Sequence, residues 1–298
     1  MIPEDQLTRW SNQGGTTNSI AAPKSILTAL EATDSPIYGR NFEIFLQGSY
    51  KNSTNIRADS DVDVVVQSNE VFYKSLSRLP ADQQAAQQRS YGSGRHDAKD
   101  WRADVENALR KKFGNALRPG SRKAFYVVTC PDNMTADVLP AVLFKNYTYF
   151  QSPNNERFDE GLEFVDAAGK YTVNYPKLYI KNGEAKNSAL RTNGHYKPSV
   201  RMFKNARNCA IDRGLLLEGT APSYFVECLM FNVPDACFTA STSDTYVAVV
   251  NHLLANPLDA FTCQNGQLPL FGPDSTQWST VNANLFVQAL TTLWKRWE

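Results

Sequence analysis

Two aspartates, Asp61 and Asp63, stand one residue apart at the mouth of a valine run in "SDVDVVV". In an extended strand residues two apart share a face, so the two carboxylates project side by side, about 7 Å apart at their bases. Anions placed so closely repel unless a cation lies between them. Asp137, inside the otherwise apolar "TADVLPAV", supplies a third carboxylate near a strand start. Three carboxylates at the ends of adjacent strands form a cradle for two Mg²⁺ ions spaced ~3.5–4 Å, with Mn²⁺ as a substitute. Upstream of the pair lies Gly48-Ser49, in "QGSYKNSTNIRAD". A glycine lets the backbone approach a phosphate closely, N–H groups at a following helix start favour negative charge, and a serine hydroxyl adds a donor. A D-x-D pair alone has an ordinary solvation role, and Gly-Ser alone an ordinary turn role. Together with a distant aspartate in an apolar strand they describe phosphoryl or nucleotidyl transfer on a triphosphate.

Several elements must hold these groups. "FEIFLQ" (42–47) and Val62–Gln67 read as strands, joined by the turn-rich link that carries Gly-Ser. "KAFYVVTC" (123–130) and "MTADVLPAVLF" (134–144) read as two more around "PDN". "KSILTALE" (24–31) is a short helix. "DWRADVENALRKKFG" (100–114) is an amphipathic one, with Trp101, Val105, Ala108 and Leu109 on one face and Gly114 as its stop. Residues 81–100, with Gln83, Gln84, Gln87 and Gln88 before "GSGRHD", read as an exposed, mobile segment. Beyond about residue 180 the pattern turns helical. Helices are expected from Pro198 to Gly214, in "APSYFVECLMF" started by Pro222, in "SDTYVAVVNHLLAN" and in "NANLFVQALTTLWKRW". The expected fold is α+β, a mixed sheet with flanking helices over residues 1–180 and a helical bundle over 181–298, with room for part of the N-terminal helix to span both.

Bulk properties narrow the function. The 298 residues suffice for one large domain or two modest ones. Lys+Arg 31 against Asp+Glu 30 argues against a duplex-DNA binder relying on bulk positive charge, though a local basic patch fits the same total. No apolar run approaches the ~20 residues of a membrane span, and "MIPEDQLTRWSNQGG" is too polar for a secretion signal. Cys130, Cys209, Cys228, Cys237 and Cys263 are scattered without a C-x-x-C pair, which reads as reduced thiols in a cytoplasmic protein. His96, His195 and His252 show no ligand spacing, and Asp166 reads as a strand-end turn residue.

"QGSYKNSTNIRADSDVDVVV" resembles the signature of the DNA-polymerase-β-like nucleotidyltransferases, and more narrowly that of the bacterial CD-NTases, relatives of cyclic GMP-AMP synthase and oligoadenylate synthase. The resemblance covers most of the chain. It takes in "TADVLPAV", "NYPKLYIKNGEAKN", "KPSVRMFKNARN" and "APSYFVECLMFNVP". It implies a bilobal enzyme with its active site in the cleft between lobes. Gln47, Gly48 and Ser49 would then hold a donor triphosphate. Asp61 and Asp63 would bind both metal ions, and Asp137 would bind one and help take a proton from the attacking hydroxyl. Lys204 and Ser223 would reach the phosphates, and Tyr224 would stack on the donor base.

The residue types leave some of these roles open. Lys197, Arg201 and Lys204 recur at helical spacing, which also suits a solvated helix face. Tyr224 suits a core beside Phe225 and Leu229 as well as a base. Asn174, Asn182 and Asn187 can read a pyrimidine's donor–acceptor edge, and equally can form turns. The resemblance further implies NTP substrates, a cyclic di- or trinucleotide second messenger, a downstream effector protein of bacterial antiphage defence, a monomer, and no obligatory nucleic-acid activator. The alternatives are a template-independent RNA nucleotidyltransferase and a catalytically silent nucleotide-binding protein.

Overall fold

The computed structural model describes residues 1–15, 21–56, 62–92, 97–119, 121–129, 134–274 and 276–297. In chain order the elements are α1 (Glu4–Ser11), α2 (Ala21–Leu30), β1 (Phe42–Leu46), α3 (Gly48–Asn52), β2 (Val62–Ser75), α4 (Ala81–Ser90) and α5 (Ala98–Phe113). Then follow β3 (Leu117–Pro119), β4 (Phe125–Thr129), β5 (Met134–Ser152), β6 (Asn155–Val165) and β7 (Tyr171–Asn174). The remainder is helical: α6 (Pro176–Asn187), α7 (Tyr196–Asp212), α8 (Ser223–Asn232), α9 (Thr242–Ala255) and α10 (Thr280–Lys295). The chain divides into two compact units. One comprises Thr16–Tyr50 and Asp59–Leu178; the other comprises Met1–Gly15, Lys51–Ala58 and Tyr179–Glu298.

The first unit is built on a mixed sheet in the order β1-β2-β5-β4-β3, with β6 on β5 and β7 on β6. β2 and β5 run parallel; β1–β2, β4–β5, β5–β6 and β6–β7 are antiparallel. Alternation along β2 sends Val62, Val64 and Val66 to the face covered by α2 and α5, where they meet Ile26, Leu30, Trp101, Val105 and Leu109. Val65 joins Leu139, Ala141, Leu162 and Phe164 on the opposite face. The Trp101 indole N–H donates to the carbonyl of Val66 at 2.9 Å, pinning α5 to the central strand. Its start is fixed by Asp97, whose carboxylate accepts from the N–H groups of Lys99 and Asp100.

Both central strands exceed their expected spans. "SNE" (68–70) interrupts the apolar alternation of β2, and the register of β2 on β5 shifts between Ser68 and Phe72 before pairing resumes to Ser75. The glutamine-rich stretch corrects another expectation. Residues 81–90 form α4, and Gln87 is buried, its side-chain oxygen accepting from Lys74 at 2.6 Å. Gln83 accepts from the N–H of Phe150, and Gln84 donates to the carbonyl of Leu79. Polar side chains here satisfy backbone and side-chain groups beside the long β5 strand, a use that hydropathy does not reveal. Residues 93–96 lie outside the described residues.

The second unit packs α7, α8, α9 and α10 around Phe203, Val226, Leu229, Val249, Phe286 and Leu290, with Ile2 and Leu7 from the N-terminal segment. Residues 1–15 and 51–58 group with the helices by contact. Arg201 holds both: its guanidinium donates to the carbonyls of Ser11 and Ser53. Among the described residues no helix is long and apolar enough to cross a membrane.

Candidate active site

Asp63 and Asp137 are direct register partners on the parallel strands β2 and β5. Their neighbours fix their direction. Residues 64 and 66 of β2, like 136 and 138 of β5, point to the helix-covered core, so 63 and 137 point to the other face. Both are half-buried, and both line a cavity of about 200 Å³ together with Gln47, Lys123 and Asn174. Asp61 lies outside the described residues.

Gly48 is fitted to this site. It adopts φ +69, a left-handed conformation that favours glycine, and a Cβ built on it would lie 1.9 Å from Oδ2 of Asp63. The bare backbone thus abuts the carboxylate. The N–H of Gln47 donates to the Asp63 carbonyl at 3.0 Å, tying this turn to β2. Ser49 follows, half-buried in the short helix α3.

The helical unit assembles the other expected residues around one buried carboxylate. Glu227 is ion-paired with Lys204, accepts from the Tyr179 hydroxyl at 2.8 Å, and is 4% exposed. Lys204 is 2% exposed and also donates to the carbonyl of Thr54 at 3.1 Å. It is not part of a solvated stripe. Tyr224 stacks on Tyr179, centroids 5.4 Å apart and planes 20° from parallel. Burial pushes both phenols well above their ordinary pKa, so they stay neutral. Ser223 is exposed at the start of α8, its hydroxyl accepting from Arg207 at 3.0 Å.

The three asparagines separate. Asn182 donates to the carbonyl of Gln264, and Asn187 accepts from the N–H of Lys197. Asn174 alone of the three lines the cavity with Asp63 and Asp137. Lys123 was not foreseen in the cavity wall, because a lysine just before a strand carries no distinguishing spacing. Asp166 closes a turn by accepting from the N–H groups of Ala168 and Lys170, as expected. His195 precedes α7, its carbonyl accepting from Ser199, and His252 lies beside Asn256; His96 and Cys130 fall outside the described residues.

Residues 181–295 match the model of the C-terminal helical domain of the cGAS/DncV-like nucleotidyltransferases. A cyclic UMP-AMP synthase of Rhodothermus marinus is 43% identical over 302 residues, covering 99% of each chain. The chain belongs to the cGAS/DncV-like nucleotidyltransferases. Cyclic nucleotide synthase CdnE01 of Staphylococcus haemolyticus, another member, is 33% identical over 306 residues, again with 99% of each chain covered. The structure of the Rhodothermus marinus CdnE c-UMP-AMP synthase with Apcpp and Upnpp matches with TM-score 0.88 and 41% identity, over 100% of this chain and 98% of that one. As a nucleotidyltransferase of this family the chain is an enzyme whose class generally uses a divalent metal ion.

Proposed function

We propose that this chain joins nucleoside triphosphates in two successive nucleotidyl transfers into a cyclic di- or trinucleotide. The observation that carries the reading is the register pairing of Asp63 with Asp137 beside the bare backbone of Gly48. Carboxylate oxygens are hard donors, so the set Asp61, Asp63 and Asp137 suits Mg²⁺, with Mn²⁺ as a substitute. When bound, such ions lower the pKa of an acceptor hydroxyl and neutralise charge on the triphosphate.

The chain's own groups supply the rest. The Gln47-Gly48-Ser49 turn offers backbone N–H groups and a hydroxyl to the donor triphosphate. Asp137 accepts the proton of the acceptor ribose hydroxyl as its oxygen attacks the α-phosphorus and the bond to pyrophosphate breaks. A second transfer of the same kind closes the ring. Tyr224, held flat by Tyr179, offers a ring face to a base. Ser223, exposed at the start of α8, offers a hydroxyl to phosphate. For Lys204 the buried pairing with Glu227 and the Thr54 carbonyl supports a holding role for residues 51–56. Direct phosphate contact by Lys204 is the alternative.

Asn174 is the candidate for reading a base, because it shares the cavity with the carboxylates. The relative named as a cyclic UMP-AMP synthase supports a product with one pyrimidine and one purine. By family likeness the product would act as a second messenger on an effector protein of antiphage defence. Incubation with labelled NTPs and Mg²⁺, with and without RNA, tests the reading. Turnover without RNA supports it; extension of added RNA as the main reaction would favour a template-independent RNA nucleotidyltransferase.

A further inference from the structure

A second cavity, of about 520 Å³, lies among α5, β3 and β4 in the sheet-bearing unit. Four arginines line it, Arg102, Arg110, Arg118 and Arg122, against one carboxylate, Glu106. Its lining also includes the buried apolar residues Leu117, Ala124 and Phe125. The charge is concentrated in sequence as well. Residues 110–123 contain Arg110, Lys111, Lys112, Arg118, Arg122 and Lys123 and no acidic residue, in a chain whose total charge is nearly balanced.

Internal pairing consumes only part of this charge, and Lys111, which does not line the cavity, is bridged to Asp34 at 2.9 Å. Arg110 is bridged to Glu106 at 2.7 Å, and Arg122 stands 3.9 Å from Asp166, whose carboxylate also serves the turn at 168–170. Among the described residues neither Arg102 nor Arg118 takes part in an ion pair. Arg102 is nonetheless held in place. Its guanidinium lies 4.3 Å from the Phe125 ring and donates to the carbonyl of Lys123 at 2.7 Å. A held guanidinium over an apolar ring is pre-organised for an anion, because little side-chain freedom is lost on binding.

We propose that this cavity is a second ligand site, for a small molecule carrying clustered phosphates. A volume in the range of about 300–1,000 Å³ suits a small ligand. Planar forks on several sides match phosphate oxygens. The site is distinct from the carboxylate cavity but adjoins it. Ser121 and Ala124 line both, Lys123 lines the carboxylate cavity, and Arg122 lines the basic one. Occupancy would therefore constrain one wall of the candidate active site.

The test is calorimetric titration of the full chain with inorganic tripolyphosphate in EDTA, which suppresses metal-dependent phosphate binding. Arg118→Glu/Arg122→Glu should weaken binding at least tenfold, and the milder Arg118→Gln/Arg122→Gln should weaken it with an unchanged thermal midpoint. Ser49→Ala, altered at the candidate triphosphate turn, should bind within twofold of the unaltered chain. ATP as a parallel probe separates sources, counting only the binding that Arg118→Gln/Arg122→Gln removes: if that part is tighter than for tripolyphosphate the ligand is a nucleotide, and if equal the phosphates alone. The reverse pattern, loss in Ser49→Ala and none in the arginine variants, would overturn the proposal. So would single-stranded RNA that binds the arginine face with affinity rising with length, since that identifies a polynucleotide surface. Failure here leaves the nucleotidyl-transfer reading intact, because NTP turnover is measured separately.

Discussion

Asp63 and Asp137 face the same side of the sheet from directly paired positions on two parallel strands. Strands so paired lie about 4.7–4.9 Å apart, so the two carboxylates share one ionic environment. Asp63→Asn or Asp137→Asn should each lower pyrophosphate release by about 10³-fold or more, with the thermal midpoint unchanged or raised by relief of repulsion. Rates within tenfold of the unaltered chain would contradict the pairing's role.

Gly48 gives a sharper geometric test. A methyl group there meets Oδ2 of Asp63 at 1.9 Å, on a backbone at φ +69. Gly48→Ala must displace either the turn or the carboxylate. Turnover should fall by about 10²-fold, as expected for an ångström-scale misplacement of a reacting group. Circular dichroism should show the fold retained.

Lys204 and Glu227 form a buried pair, and breaking such a pair leaves one uncompensated charge. Lys204→Met should destabilise by about 3–5 kcal/mol in denaturant unfolding, and adding Glu227→Leu should recover most of the loss. If the double variant is stable and still turns over NTPs, Lys204 holds the 51–56 segment. If it is stable and inactive, Lys204 contacts phosphate.

Glu4 accepts from the N–H groups of Thr242 and Ser243 at the start of α9. Partial burial alone would raise its pKa, but hydrogen bonds from the side chains of Ser243 and Thr242, together with these N–H groups, outweigh it and bring the carboxyl from 4.5 down to about 2. A depressed folded-state pKa contributes stability above the unfolded value that is lost as pH falls through the folded one. Glu4→Gln should therefore lower the thermal midpoint by roughly 1–3 °C at pH 7. The gap to the unaltered chain should close between pH 4.5 and 2.

Asn174 lines the cavity of the carboxylates, its Oδ1 accepting from the N–H of Tyr175 and its amide N–H groups left to donate, whereas Asn182 and Asn187 do not line that cavity. Asn174→Ala should change the ratio of NTPs incorporated by about tenfold, the scale of one lost base-edge hydrogen bond, while Asn182→Ala leaves it unchanged. Competition between pairs of NTPs, read by product mass, decides it.

What could be read from the sequence was what local period encodes. The alternating valines gave the strand that carries Asp63 and the face to which its side chain points. Helices α7 to α10 followed from the 3.6-residue period, to within about two residues at their ends, whereas α6, which carries Asn182 and Asn187, was not expected. What escaped depends on partners distant in sequence. Nothing near Arg201 announces the carbonyls of Ser11 and Ser53, so the grouping of residues 1–15 and 51–58 with the helices cannot be read from local spacing. Lys204 resembles a solvated lysine until Glu227 is brought beside it. The α4 glutamines are likewise polar by composition and structural by contact.

The most direct test of the central reading is mass spectrometry of the products that the purified chain forms from all four NTPs and Mg²⁺, with no nucleic acid present. A cyclic di- or trinucleotide that resists phosphatase, and that Asp63→Asn/Asp137→Asn does not form, is the predicted result. Linear, phosphatase-sensitive chains as the only product, or the same cyclic product from the double variant, would contradict it.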